Sequence, residues 1–511
     1  MSKRLIYAFV LLTYSLAFGQ HQHHEGAPGV GKTPTMTMPM KGQSGAKTKN
    51  DTTKPMDHSG HEGMHMDESM AGMHELNYGL TMDTTMSGKS MPGMTHSLSR
   101  NLPMNRNGSG TSWHPDNTPM YAYMTHPTQK GWSYMLHYAI YLRYTSQNAT
   151  NANGRGRAQQ LGAPNWFMGM AQRKVGQRGL FQVRAMLSLD PLTVGNGGYP
   201  LLFQTGETYK GQPLIDKQHP HDLVSELSVS YSHAFSKDID LFGYVGYPGE
   251  PALGPPAFMH RISSFNNPDA PLSHHWQDAS HILFGVATVG FRYKWAKIEG
   301  STFKGREPDE NRYNFDKPKF DSYSYRLSIN PSPSLAFQFS QGFLTDPEEA
   351  HPGENVTRTT ASVLHSKGLG PASYVTSALV WGRNSHDGTG ENSFLAESSV
   401  QVDRFAFYGR YENVRKSAQE LSITFYDNQG LPPDYTGVFA INNLTLGMNY
   451  RLAQRRNTDL TLGAQLTGAK PDRILQRLYG NTPISGQIYL RLSPSLMTMN
   501  KMHRMSGHHS N

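Results

Sequence analysis

From residue 131 onward, segments of about ten residues alternate between apolar and polar positions and are bounded by turn residues. In residues 180–190, Phe181, Val183, Ala185, Leu187 and Leu189 fall on one face, with Gln182, Arg184, Met186, Ser188 and Asp190 on the other. Tyr323, Tyr325, Leu327 and Ile329 oppose Ser324, Arg326, Ser328 and Asn330 in the same way, as Phe405, Phe407, Gly409 and Tyr411 oppose Tyr408, Arg410 and Glu412. Near the end, Ile488, Leu490 and Leu492 oppose Gln487, Arg491 and Ser493. A period of two over this length predicts strands that are apolar toward lipid and polar toward a lumen.

Sixteen such segments are centred near residues 138, 168, 184, 229, 242, 286, 299, 326, 338, 361, 378, 397, 408, 445, 462 and 489. Short connections lie near 175–179, 236–238, 293–294, 331–333, 366–371, 402–404 and 453–458. Long ones lie near 145–163, 191–221, 247–280, 304–320, 342–356, 384–392, 413–437 and 468–483. Strict alternation of short turns and long loops is the outer-membrane pattern, with both termini on the short-turn, periplasmic side. A soluble sandwich has no reason to alternate so, and no repeat of propeller length is present. The expected fold is all-β: a transmembrane antiparallel barrel of about 16 strands after a disordered Met/His-rich N-terminal segment.

Residues 1–19 read as a signal peptide, with Lys3 and Arg4 ahead of an apolar run and small residues Ala17 and Gly19 at its end. No later apolar run approaches the length of a membrane-spanning helix. Residues 131–496 form the expected barrel. Residues 20–130 hold few β-branched aliphatic residues, so ordering them has little apolar burial to offset it. The formal charge of +8 is unclustered, which argues against a nucleic-acid partner.

The chemistry of residues 20–130 is distinctive. They carry 15 of the chain's 26 methionines, and the chain has no cysteine. Met36, Met38 and Met40 are followed by Met56, His58, His61, Met64, His65 and Met66, then Met73, His74, Met91 and Met94. Thioether and imidazole are soft-to-borderline donors, and thioether selects Cu(I). The C-terminal tail, residues 497–511, repeats the pattern with Met502, His503 and Met505. Copper, as Cu(I) or Cu(II), is the expected ion, with silver or zinc as alternatives; a low-complexity spacer is the plainer reading. A second candidate lies in the long loops, where His219, His221, Asp222, His260, His274, His275, Asp278 and His281 offer nitrogen and oxygen donors for Zn(II) or Cu(II). The plainer alternative there is hydrogen-bonded loop packing. No Gly-x-Ser-x-Gly element supports a hydrolase, so no enzymatic activity is expected. Arg184, Arg326, Arg410 and Arg491, with Glu226, Glu299, Glu397 and Glu412, are expected to face the lumen.

An export signal, a tract with Met-Asp-His-Ser-Gly and Gly-Met-His elements, and then a barrel resemble the copper-resistance protein B family in layout. That resemblance implies an outer-membrane barrel for copper resistance, sequestration or efflux, working with a periplasmic copper-binding protein. The competing expectation is a general porin-like channel with no specific metal role.

Overall fold

The computed structural model describes residues 96–125, 131–349, 351–386, 389–423 and 437–497. Sixteen long strands form one antiparallel sheet that closes on itself. The first five are β1 (Trp132–Gln147), β2 (Asn165–Val175), β3 (Gly179–Leu187), β4 (Val224–Ala234) and β5 (Ile239–Gly246). Next come β6 (Val286–Tyr293), β7 (Ala296–Phe303), β8 (Ser322–Ser332), β9 (Leu335–Leu344), β10 (Val356–Gly370) and β11 (Ser373–His386). The last five are β12 (Thr389–Val402), β13 (Phe405–Ser417), β14 (Val438–Arg455), β15 (Thr458–Pro471) and β16 (Ile484–Pro494). Each strand pairs with its neighbour in sequence, and β16 pairs with β1 from Ile140↔Leu492 to Ser146↔Gly486.

All sixteen expected segments fall on these strands, with the expected faces. Val289, Ile298, Leu379 and Ile488 point outward with roughly 60 % of their surface bare (63, 59, 59 and 62 %). Tyr134, Tyr144, Tyr293, Trp295 and Tyr411 are also exposed. The inward positions are polar and buried. Arg326 Nε donates to Glu299 at 3.0 Å, Arg410 Nε to Glu397 at 3.0 Å, and Arg184 Nε lies 3.3 Å from Glu226. A water-soluble sandwich needs the reverse arrangement; an apolar exterior on a closed sheet with no free edge fits a hydrocarbon surround. Among the described residues no helix is long and apolar enough to cross a membrane, and the barrel itself supplies the crossing. One loop is shorter than its sequence suggests. β11 and β12 pair out to His386↔Thr389, so most of the long connection expected at 384–392 is strand.

The lumen is filled from two directions. Residues 96–125, expected to belong to the disordered tract, are ordered, and residues 96–122 are packed within the short-turn end. Arg100 donates to Gly176 O at 3.0 Å and Asn101 to Ser236 O at 3.1 Å, while Asn117 N reaches Pro333 O at 2.9 Å. Deeper in, Arg326 Nη2 donates to Thr111 Oγ1 at 2.7 Å and Asn330 Nδ2 to His114 O at 2.7 Å; Arg184 donates to Gly110 O. The segment then joins the wall, where Tyr123 and Met124 pair with Leu136 and Met135 of β1. From the other side, the loop between β5 and β6 folds inward. Arg143 Nη1 donates to its Asp269 at 2.6 Å, Arg410 to Asp269 O at 3.0 Å and Arg491 to Phe265 O at 2.7 Å. These contacts come from β1, β13 and β16, so the loop is braced across the bore.

Candidate metal centre

Where the plug, the in-folded loop and the wall meet, their side chains are sulfur-rich. Register sets the wall: His137 pairs with Met168 and Met135 with Met170 across β1 and β2, and Met168 with Met186 across to β3. Because side chains alternate, all five of these point inward together. The plug adds Met104, His114 and Met120, and the loop adds Met259 and His260, around a cavity of about 80 Å3. Six methionines lie between residues 135 and 495, and five of them, Met135, Met168, Met170, Met186 and Met259, are gathered here. The sixth, Met448, faces outward.

Methionine often fills irregular cores, so packing alone would explain the cluster. The histidines argue for more. His114 Nε2 and His137 Nε2 are buried and have no hydrogen-bond partner. A buried polar nitrogen without a partner costs free energy, and imidazole lone pairs lining the same cavity as thioethers are what a soft cation takes up. The His137 and His260 rings lie 5.5 Å apart, and Trp166 stands 5.1 and 5.2 Å from them. Burial, then the charge of Arg261, pulls the His114 imidazole down to about 3. Burial and the neighbouring His137 hold His260 well below its ordinary value. Both are therefore neutral at physiological pH, the form that binds a metal.

The other loop histidines form a ladder above this chamber. Ring centroids step from His221 to His281 at 5.7 Å, to His274 at 5.2 Å, to His275 at 5.3 Å and to His219 at 5.8 Å. Five of the six sequence-selected histidines thus come together, while His260 belongs to the sulfur-lined chamber. His221 Nδ1 lies 2.8 Å from Asp190, His219 Nδ1 lies 3.1 Å from Glu207, and neither ring nitrogen of the fully buried His275 is hydrogen bonded. Asp278 is occupied differently. It accepts from Arg261 Nη1 at 2.8 Å and lies 2.6 Å from His274 Nδ1. Burial alone would raise its carboxyl, but His274 and Arg261 hold it down to about 2, so it serves as a counter-ion. Asp222 is nearly isolated, 3.9 Å from Arg312, and burial pushes it up to about 8.

Met36, Met38, Met40, Met56, His58, His61, Met64, His65, Met66, Met73, His74, Met91, Met94, Met502, His503 and Met505 lie outside the described residues. Sequence reasoning picked out His260 but missed the rest of the chamber. The available signal was methionine at inward strand positions, where neighbouring inward positions are polar.

No family model and no curated protein matches the sequence. Among solved structures, the chain is similar to Salmonella typhi OmpF in complex with daunomycin, at 8 % identity and TM-score 0.45, over 73 % of this chain and 100 % of that one. It is also similar to an anion-selective porin from Comamonas acidovorans (11 % identity, TM-score 0.42, 71 % and 99 % covered). Pseudomonas putida OprB is a third, at 11 % identity and TM-score 0.43, with 71 % and 94 % covered.

Proposed function

We propose that this chain is a non-enzymatic outer-membrane barrel that binds copper as Cu(I), or silver, and serves metal resistance, sequestration or efflux. One observation carries the reading: the lumen gathers seven thioethers (Met104, Met120, Met135, Met168, Met170, Met186 and Met259) around unpartnered imidazole nitrogens. Soft donors in numbers, with no thiol, suit a monovalent soft ion in an oxidising compartment. The Met/His tract ahead of residue 96 would collect the ion and deliver it to the chamber. That division of labour accords with the resemblance to the copper-resistance protein B family, and a periplasmic copper-binding protein is the partner it suggests.

The test is Cu(I) titration of the full chain in detergent against a colorimetric Cu(I) chelator. Met168→Leu with Met170→Leu nearly conserves volume and should cost under about 1.5 kcal/mol of stability each. The pair should remove the tightest Cu(I) equivalent. If the double variant, still folded, holds every equivalent with wild-type affinity, the chamber is only packing. If the wild-type chain competes for no Cu(I) at all, the general-channel reading replaces this one.

A further inference from the structure

At the long-loop mouth a second cluster has a different chemistry. Glu348 and His351 sit on the loop between β9 and β10, and Glu420 follows β13. One oxygen of each carboxylate and one ring nitrogen of His351 lie within 4.8 Å of one another. His351 Nδ1 is 3.3 Å from Glu348 Oε2. Glu420 Oε1 accepts a hydrogen bond from Thr205 at 2.9 Å, which fixes the carboxylate; its Oε2 is buried and has no hydrogen-bond partner. His275, the unpartnered rung of the histidine ladder, places Nδ1 3.8 Å from Glu348 Oε1. His351 and Glu420 line two adjoining cavities, of about 40 and 150 Å3, so the site has room and access.

We infer that Glu348, His351 and Glu420 bind a divalent transition ion of the zinc class, with His275 standing behind Glu348. Two carboxylates and an imidazole match Zn(II) or Cu(II) rather than Cu(I), since no thioether is present. Lys416, bonded to the same Thr205, offsets part of this acidity, and the orphaned Glu420 oxygen is what a bound cation would satisfy. The inference stands apart from the copper reading because it uses different residues and an ion of different hardness.

The experiment loads the full-length chain with Zn(II) alone, dialyses it and counts retained zinc by elemental analysis. Three proteins are compared: wild type, Glu420→Gln, and His351→Gln with Glu420→Gln. Unchanged heat-dependent gel migration verifies a folded barrel; Glu420→Gln is isosteric, and His351→Gln keeps a polar side chain of similar reach. The expected result is loss of one zinc equivalent in both variants, with Cu(I) equivalents by chelator competition unaltered. Retention of every zinc equivalent by the folded double variant would overturn the assignment. Conversely, Met168→Leu with Met170→Leu should leave zinc retention unchanged, so failure of either site is visible separately.

Discussion

Arg261, on the in-folded loop, donates from Nε to Glu397 Oε1 of β12 at 2.7 Å while its Nη1 reaches Asp278 at 2.8 Å, and all three side chains are about 1 % exposed. One guanidinium thereby fastens the loop both to the wall and to itself. Without it Glu397 still pairs with Arg410 and Asp278 with His274, so the loss costs less than the roughly 3–5 kcal/mol of a fully stranded buried charge but still weakens the loop. Arg261→Ala should therefore lower the temperature of the heat-dependent gel shift and raise single-channel conductance in planar bilayers. A variant with wild-type values for both would mean that the loop is held elsewhere.

The plug makes a separate prediction. With residues 96–122 and the loop both inside the bore, the wild-type chain should conduct far less than an open barrel of sixteen strands. Deleting residues 96–122 should open it, read as a stepwise increase in conductance. Large wild-type conductance would show that ions pass between the plug and the wall.

Tract and chamber should be separable. A chain lacking residues 20–94 should lose most of its Cu(I) equivalents yet keep the tightest one, because the chamber's own donors lie at residue 104 and beyond. Chelator competition on the two chains decides this, and loss of all binding would place every ligand in the tract.

Acidity enters through Glu250 on the in-folded loop. Burial pushes its carboxyl up to about 8, with Arg326 and the hydrogen bond from Ser109 pulling weakly the other way. A folded-state value above the ordinary one means that the folded chain holds a proton the unfolded chain gives up above about pH 4.5. Its contribution therefore becomes less favourable as pH climbs from there toward 8. Glu250→Gln mimics the protonated acid and should stabilise the protein at pH 7 by up to about 3 kcal/mol, with no gain at pH 4. Urea unfolding at the two pH values checks it; equal effects at both would show that the carboxyl ionises normally.

The wall was legible because lipid and lumen impose opposite demands on successive residues. Val289 and Thr288 cannot exchange places, and that leaves a period of two in the sequence. The plug was not legible for a related reason. Residues 96–122 are rich in Asn, Ser, Thr and Gly, which reads as disorder wherever folding means burying apolar surface. Inside this barrel the surroundings are themselves polar, and Thr111 and His114 are ordered by Arg326 and Asn330 rather than by an apolar core. The chamber escaped notice because its donors come from three stretches of chain that only the closed wall brings together. The mouth cluster left no local signal beyond the pair Glu348 and His351.

Tyr123 and Met124 continue the line of β16 along β1, and Tyr121 bridges to Leu496 at the same place. The stopper is thus sewn into the seam of its own bottle. Pulling it free would tear hydrogen bonds from the cylinder, whereas a cork held only by its fit could be pushed out whole. Any passage of cargo must then thread past a fixture that stays in place, by small shifts of side chains along it. The same stitching makes the seam a shared structure: stopper and cylinder hold one stretch of β1 between them, so loosening either one loosens the other.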